Sequence, residues 1–463
     1  MEAQSTWKQG NLLELEITDL SPNGDGVGRW GEQQRVIFVP NTVPGDQITA
    51  RLIRVKPRYA YGQLHKIIHA SPHRIRPQCI VADKCGGCQW QAVEYAHQLI
   101  AKQNQVIQAL ERIGQFQSPI VEPVLAAAFP FAYRNKVTYP LAFNPNSQRV
   151  QAGYYRQGSH KLINLNQCPV QDPHFDRFLA EVKEDLQKRG WPIYDEHKHQ
   201  GLIRHLSLRI GRRTGEILMT LIVNADQNQP LSLELDTQAQ EWLERYSQLV
   251  GICLNFNPHQ TNRIFGAETV CLAGRHYLHE MFAGLTFQLR PDTFFQVHTE
   301  QAEVLLNTIL DHLQLGGNEQ VVDVYCGIGT LTLPLAQRVR EMVGIEMQAA
   351  AIEQAQANAA LNQITNATFT VGAAKDCLKA IPFKPDVVLL DPPRKGCHMD
   401  VIEQLLTLNP RQMVYVSCHS ATLARDLKPL CQSSYAIDRV QPVDFFPQTS
   451  HIECVAFLRR CVD

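Results

Sequence analysis

VVDVYCGIGTLTLPLA, residues 321 to 336, decides how the carboxyl-terminal part of this chain folds. Val321 to Val324 read as a buried strand, Gly327 and Gly329 as a tight turn, and TLTLPLA as the start of a helix. Strand, glycine turn and helix form the opening unit of a doubly wound parallel sheet, with turn backbone that a ligand can approach. Strand and helix patterns keep alternating from about residue 291 onward, so 291–463 is expected to be a Rossmann-like α/β domain. The next strand ends in MVGIE, placing Glu346 where an acid can bond ribose hydroxyls. A nicotinamide dinucleotide would use the same features. However, Leu331 replaces the third small residue of G-x-G-x-x-G, and no later motif suggests hydride chemistry. A turn that merely needs glycine is the plainer alternative.

Three further stretches lie on this domain. PDVVLLDPPRKGC reads as a strand ending at Asp391, followed by Pro392, Pro393 and Arg394. Amino-group methyltransferases carry an aromatic directly after such a Pro-Pro pair, so Arg394 counts against methylation of an exocyclic nitrogen. MVYVSCHSATLARD, residues 413 to 426, presents Cys418 at the carboxyl end of a strand, where open α/β sheets hold their ligands. Cys418 is either a small buried core residue or a nucleophile. DFFPQTSHIECVAFLRR sets Glu453 in front of the apolar run CVAFL, a position where a lone Glu, like His451, is ordinarily a surface or structural residue.

The rest of the chain adds different material. Its 463 residues, 44% hydrophobic and 19% charged, suit a soluble globular protein of several domains. MEAQSTWKQGN lacks the apolar core of a signal peptide, and no 18-residue apolar run suggests a membrane span, so a cytoplasmic protein is expected. Thirteen cysteines then read as thiols and ligands rather than a disulfide framework. The net charge of -1 hides a basic stretch, with seven Lys or Arg and no Asp or Glu from Arg51 to Arg76. That stretch implies a polyanionic partner or a merely solvated face. Residues 1–69 alternate in short strands with turn signals, as in a β-barrel of OB type. Arg54, Lys56, Arg58, Tyr59 and Tyr61 interleave cations with aromatics as single-stranded nucleic-acid surfaces do, although such a barrel can also serve only to pack on its own chain.

Residues 70–290 open with PQCIVADKCGGCQWQ. Cys79, Cys85 and Cys88, with Cys168 later, fit a four-iron cluster or a four-cysteine zinc site, unliganded thiols being the plainer alternative. The C-x5-C-x2-C spacing differs from the C-x3-C-x2-C of radical enzymes and argues against radical chemistry. A helix near 92–114 shows Ala96, Leu99, Ile100, Val106, Ile107 and Leu110 at helical intervals and is expected to pack on the catalytic domain. Most of the remainder alternates like a β-rich domain. Arg134 and Lys136 are candidates for phosphate contacts or for structural salt bridges.

In combination and in order, CIVADKCGGC with Cys168, DTFFQVH, DVYCGIGTLTLPLA, LLDPPRKG, YVSCHSATLARD and PQTSHIE make this chain resemble a family over essentially its full length. The family is that of the S-adenosylmethionine-dependent RNA uracil-C5-methyltransferases, especially the bacterial 23S rRNA enzymes with an N-terminal TRAM domain and an iron–sulfur cluster. The resemblance implies that Cys79, Cys85, Cys88 and Cys168 hold a [4Fe-4S] cluster of structural role, zinc being the alternative. It implies that Gln296, Tyr325, Glu346 and Asp391 contact S-adenosylmethionine, that Cys418 is the nucleophile, and that Glu453 is the base. The implied partner is RNA, 23S rRNA first and tRNA second, and the implied enzyme is a cytoplasmic monomer. Two departures stand out. His419 follows Cys418 where Asn is common, and Ala373 and Ala374 stand where an acid often meets the adenine, with Asp376 slightly later.

The chemistry accounts for these residue types. Carbon-5 of uracil is a poor nucleophile until a thiolate adds to carbon-6. After methyl transfer a proton remains on carbon-5, and a base must remove it before the thiolate leaves. The target base must also leave its stack. Two other readings are an RNA cytosine-C5-methyltransferase and a non-catalytic RNA-binding protein. The first expects a cysteine after Pro, which DPPRKG lacks; the second does not call for Cys418, Glu453 and Asp391 together.

Overall fold

A computed structural model describes residues 7–228 and 234–461. Strands β1 (Leu12–Leu20), β2 (Gly26–Trp30), β3 (Arg35–Val39), β4 (Gln47–Val55) and β5 (Tyr59–His69) close into a barrel in the order β1-β2-β3-β5-β4. Alternation in β1 sends Leu13, Leu15 and Ile17 inward, onto Ile37, Ile48, Ala50 and Leu52. The outward residues of the last two strands include the basic stretch. Arg51, Arg54 and Arg58 are exposed, next to a cluster of Phe38, Tyr59 and Tyr61 rings 5.6–6.2 Å apart.

Helix α1 (Tyr95–Ala109) continues into a wider π-type turn over Leu110–Gly114. Val106, Ala109 and Leu110 enter a core shared with Val322 and Tyr415 of the carboxyl-terminal sheet and with Leu423 of the helix over residues 420–433. The apolar positions read from the sequence do not describe the rest of its buried face. Ile100 is 52% exposed, whereas Gln98, Lys102 and Gln105 are buried. Gln98 and Lys102 meet partners from a segment some 340 residues later, described below, and Gln105 donates to the Ser21 carbonyl at 3.4 Å.

The central region is a seven-stranded mixed sheet carrying two helices. Its elements are β6 (Lys136–Asn144), β7 (Arg149–Tyr155), β8 (Leu162–Asn164), α2 (His174–Arg189), β9 (Ile203–Ile210), β10 (Ile217–Val223), α3 (Leu235–Arg245), β11 (Leu249–Phe256) and β12 (Glu268–Gly274). The sheet order is β12-β11-β10-β9-β6-β7-β8. Tyr139, Leu206 and Leu208 on one face pack on Phe175, Phe178 and Trp242 of the helices. The hairpin β13 (Leu278–Phe282) and β14 (Leu285–Leu289) lies before residue 291, yet Phe282 and Phe287 join the core of α4 (Thr299–Leu313) and the last sheet.

That sheet is built from β15 (Gln320–Val324), α5 (Thr332–Ala336), β16 (Glu341–Glu346), α6 (Ala349–Leu361), β17 (Ala367–Val371), α7 (Ala374–Lys379), β18 (Val387–Leu390), α8 (Met399–Leu408), β19 (Gln412–Ser417), α9 (Ser420–Ser433), β20 (Tyr435–Val443) and β21 (Glu453–Arg460). The order is β17-β16-β15-β18-β19-β21-β20, parallel except at β21. Because β15 pairs with both β16 and β18, the winding reverses between β15 and β18, and a crevice opens at their carboxyl ends. Among the described residues no helix is long and apolar enough to cross a membrane.

Candidate active site

The crevice is shaped by the turn after β15. Backbone N–H groups of Tyr325 and Cys326 both donate to the Ile345 carbonyl, at 2.8 and 3.0 Å, which draws the turn onto the end of β16. Tyr325 consequently adopts φ +73°, a left-handed conformation that is costly for an aromatic residue and clusters at functional sites. A pocket here is lined by Phe294, Gln296, Asp323, Tyr325, Thr330 and Asp391. Gln296, Tyr325 and Asp391, nominated from the sequence, thus share one cavity. Glu346 is not part of that lining. It ends β16, accepts from the Gln348 N–H at 2.9 Å, and its charge bears on both Asp323 and Tyr325. Asp376 is exposed in α7 and absent from the lining.

Asp323, Phe294 and Thr330 were not singled out from the sequence. The signal for Asp323 was a lone acid inside the buried strand VVDV. Its side chain is buried and accepts from the Thr332 hydroxyl at 2.5 Å. Burial raises its carboxyl to about 7, against that hydrogen bond and with the charges of Asp391 and Glu346 adding.

Strand register brings three other residues together. Leu390 pairs with Tyr415, and Ser417 pairs with Cys454. The residues that follow or precede these pairs, Asp391, Cys418 and Glu453, therefore emerge at one edge of adjacent strands. Burial raises Asp391 to about 6. Burial likewise pushes the Glu453 carboxyl well up, helped by Asp391 and opposed by Arg394. Cys418 is raised to about 11 by burial and by the charges of Glu453 and Asp391, again opposed by Arg394. Cys418, Glu453 and Asp391 thus share one buried edge with the Arg394 cation. His419 caps α9, its Nδ1 accepting from the Thr422 N–H at 3.3 Å. Desolvation first and then the surrounding cations, Arg394 foremost, pull the His451 imidazole below its usual range.

The segment leading into Glu453 is held from outside the sheet. Lys102 of α1 donates to Asp444 at 2.6 Å and to the Phe446 carbonyl at 3.0 Å, and both side chains of the pair are fully buried. Gln98 donates to the Gln448 side chain and accepts from its N–H, at 3.1 and 3.0 Å. The Trp90 N–H reaches the Gln448 carbonyl at 3.0 Å, and the Tyr133 hydroxyl reaches that of Pro447 at 3.1 Å. Gln448 itself has φ +70°.

Trp90 lies two residues after Cys88. The thiols of Cys79, Cys85, Cys88 and Cys168 are free and partly exposed. They lie close enough that the other three add to the rise of Cys168, which burial chiefly pushes to about 12, and that Cys79 and Cys85 add to that of Cys88, which burial takes to about 11. Among the described residues no three His, Cys, Asp or Glu side chains converge on a single metal-ion position. Arg134 borders this group, and its Nε is buried without a hydrogen-bond partner. An unpaired, buried Nε beside four thiols fits an anionic group held by those thiols.

The comparisons first define the class. The solved structure of Pyrococcus abyssi tRNA (uracil-54, C5)-methyltransferase in complex with S-adenosyl-L-homocysteine matches with a TM-score of 0.76 and 26% identity, over 96% of this chain and 100% of that one. The fold is thus that of an S-adenosylmethionine-dependent methyltransferase. The family described as tRNA (Uracil-5-)-methyltransferase matches residues 268–461, and the TRAM domain matches residues 6–65. Relatives described as uncharacterized RNA methyltransferases include one from Nostoc sp., 61% identical over 98% of each chain. Another, from Bacillus cereus, is 38% identical over 98% of this chain and 97% of the relative. The chain belongs to this family of RNA methyltransferases, with a TRAM barrel ahead of a uracil-5-methyltransferase domain.

Proposed function

We propose that this enzyme methylates carbon-5 of a uridine in RNA through a covalent adduct on Cys418 that Glu453 resolves. The observation that carries this reading is the meeting of Cys418, Glu453 and Asp391 at one sheet edge beside a pocket that Gln296 and Tyr325 also line. Cys418 gives up its thiol proton to water and attacks carbon-6 as the thiolate, which the Arg394 charge favours. The electron pair so delivered makes carbon-5 enolate-like, and carbon-5 takes the methyl group from the sulfonium of S-adenosylmethionine. Glu453, as the carboxylate, removes the carbon-5 proton; the carbon-5 to carbon-6 double bond re-forms and the Cys418 sulfur is expelled. Such a base contributes about 10²–10⁴-fold. Asp391, Gln296 and Tyr325 hold the methyl donor, and Glu346 meets its ribose.

Cys79, Cys85, Cys88 and Cys168 are proposed to hold a [4Fe-4S] cluster. Four thiolates on such a cube leave a net negative charge, which would satisfy Arg134. When bound, the cluster would pin the loop that precedes Trp90.

The substrate is proposed to be 23S rRNA, on the combined resemblance of barrel, four cysteines and catalytic motifs. A uridine in tRNA is the second reading, favoured by the likeness to the Pyrococcus abyssi tRNA enzyme. Mass-spectrometric mapping of 5-methyluridine in rRNA and tRNA from a deletion strain separates the two. The mechanism is tested with two variants. Glu453→Gln should accumulate a methylated RNA–protein adduct that survives denaturing electrophoresis, and Cys418→Ala should abolish both adduct and product. Wild-type turnover by Glu453→Gln, or an adduct in the absence of Cys418, would overturn these roles.

A further inference from the structure

Distinct in its lining from the pocket at Asp391, a cleft of about 830 Å³ in the central sheet is used by none of the chemistry above. It runs along β6 and the end of β7, where Thr138, Pro140 and Phe143 share its lining with Tyr154 and Tyr155. Its volume falls within the roughly 300–1,000 Å³ typical of small-ligand sites. Its walls are aromatic and cationic. Tyr155 is 36% exposed and stacks on His160 with centroids 5.1 Å apart. The Arg204 guanidinium lies 4.6 Å from the Tyr194 ring centre. Lys198 and Arg263 also line the cleft.

Two polar atoms in these walls have no partner. Arg204 is 6% exposed and donates through Nη1 to the Asn257 and His259 carbonyls, but its Nε is buried and unpaired. The Nδ1 of His205 is buried and unpaired as well. Unpaired buried polar atoms are costly unless water or a ligand meets them. The carboxylates present are Glu196, paired with His160 at 3.0 Å, and Asp195, 3.5 Å from Lys198. A flat ring with hydrogen-bonding edges and an attached anion suits such walls; an aliphatic chain does not.

We propose that this cleft receives an unstacked nucleotide of the RNA substrate, outside the target uridine: its base against Tyr155 and its phosphate toward Lys198 and Arg263. The inference rests on the enzyme's action on RNA and adds a second anchoring point to it. The cysteine loop braces the stacking ring. The Gly86 N–H donates to the Tyr155 carbonyl at 3.0 Å, the Gln157 N–H donates to that of Lys84 at 3.1 Å, and Cys85 bridges to Arg156. A cation and an aromatic face, joined in one cleft, bind single strands with little sequence preference.

The test measures binding of a fluorescein-labelled single-stranded RNA 20-mer by anisotropy, together with methylation kinetics on rRNA transcripts. Tyr155→Ala should weaken oligomer binding by about 5- to 150-fold, the range expected for loss of one stacked base. It should raise KM for RNA, and leave kcat and S-adenosylmethionine affinity unchanged. Tyr155→Phe should bind like the wild type. Lys198→Ala combined with Arg263→Ala should weaken binding and flatten its salt dependence. Wild-type affinity in both Tyr155→Ala and the double variant would refute the cleft as an RNA site while leaving the methylation reading intact. An enzyme that binds and methylates no RNA would sink both.

Discussion

Protons are stored in the site by burial. Asp391, raised to about 6, and Asp323, raised to about 7, lie beside the pocket that Gln296 lines, and both carry protons more readily than exposed carboxyls. A sulfonium cation entering that pocket attracts their ionised forms. Folded S-adenosylmethionine affinity should therefore rise with pH through about 6 to 7 and then level, with proton release on binding in that window. Calorimetry between pH 5.5 and 8, in buffers of different ionisation heats, measures both. A pH-independent affinity would show that these carboxyls do not face the cation. The linkage for folding has the opposite sign. Each group is raised above its unfolded value near 3.8, so stability is full below that value and falls as pH rises toward about 6 to 7. The donor thus binds best where the empty site is under the greater electrostatic strain.

At the scale of elements, α1 acts as a brace for the segment from Asp444 to Ile452. Its helical pattern is legible in YAHQLIAKQNQVIQALERIG, but its buried face is not. Lys102 and Gln98 read as solvent-facing until Asp444 and Gln448 arrive opposite them, and Gln105 until the Ser21 carbonyl does. Removing one partner of a fully buried ion pair leaves an uncompensated charge, at a cost of about 3–5 kcal/mol. Lys102→Met should lower the urea midpoint accordingly and slow methylation, because the strand that begins at Glu453 loses its anchor. Adding Asp444→Leu should restore most of the stability. If the single variant is as stable as wild type, the pair is not buried in solution.

The whole molecule links barrel, cysteine loop, central sheet and catalytic sheet by few but direct contacts. Trp90 shows this in one side chain: its indole N–H donates to Gly24 of the barrel at 3.0 Å, and its backbone N–H to Gln448. Protein purified without oxygen should be brown and contain about four iron and four sulfide per chain. Cys85→Ser should remove the colour, loosen the loop to proteolysis and lower kcat through the Trp90–Gln448 contact. Stoichiometric zinc without sulfide would overturn the cluster.

The sequence alone determined the local units, because local physics decides them. Alternation marks the barrel strands, and the glycines at 327 and 329 with the apolar run before them mark a strand–turn–helix unit. Motif order also carried the family, and with it nominations for Cys418, Glu453, Gln296 and Asp391. Tertiary structure alone decided what depends on distance and burial. Residues 391, 418 and 453 meet only because β18, β19 and β21 are neighbours in register, the last running antiparallel. The raised carboxyls, the polar buried face of α1, the orphaned Nε of Arg134 and the cleft beside Tyr155 likewise belong to the packed chain. No residue's own chemistry announces how much water its neighbours will exclude, and that exclusion sets the charge of each of these groups.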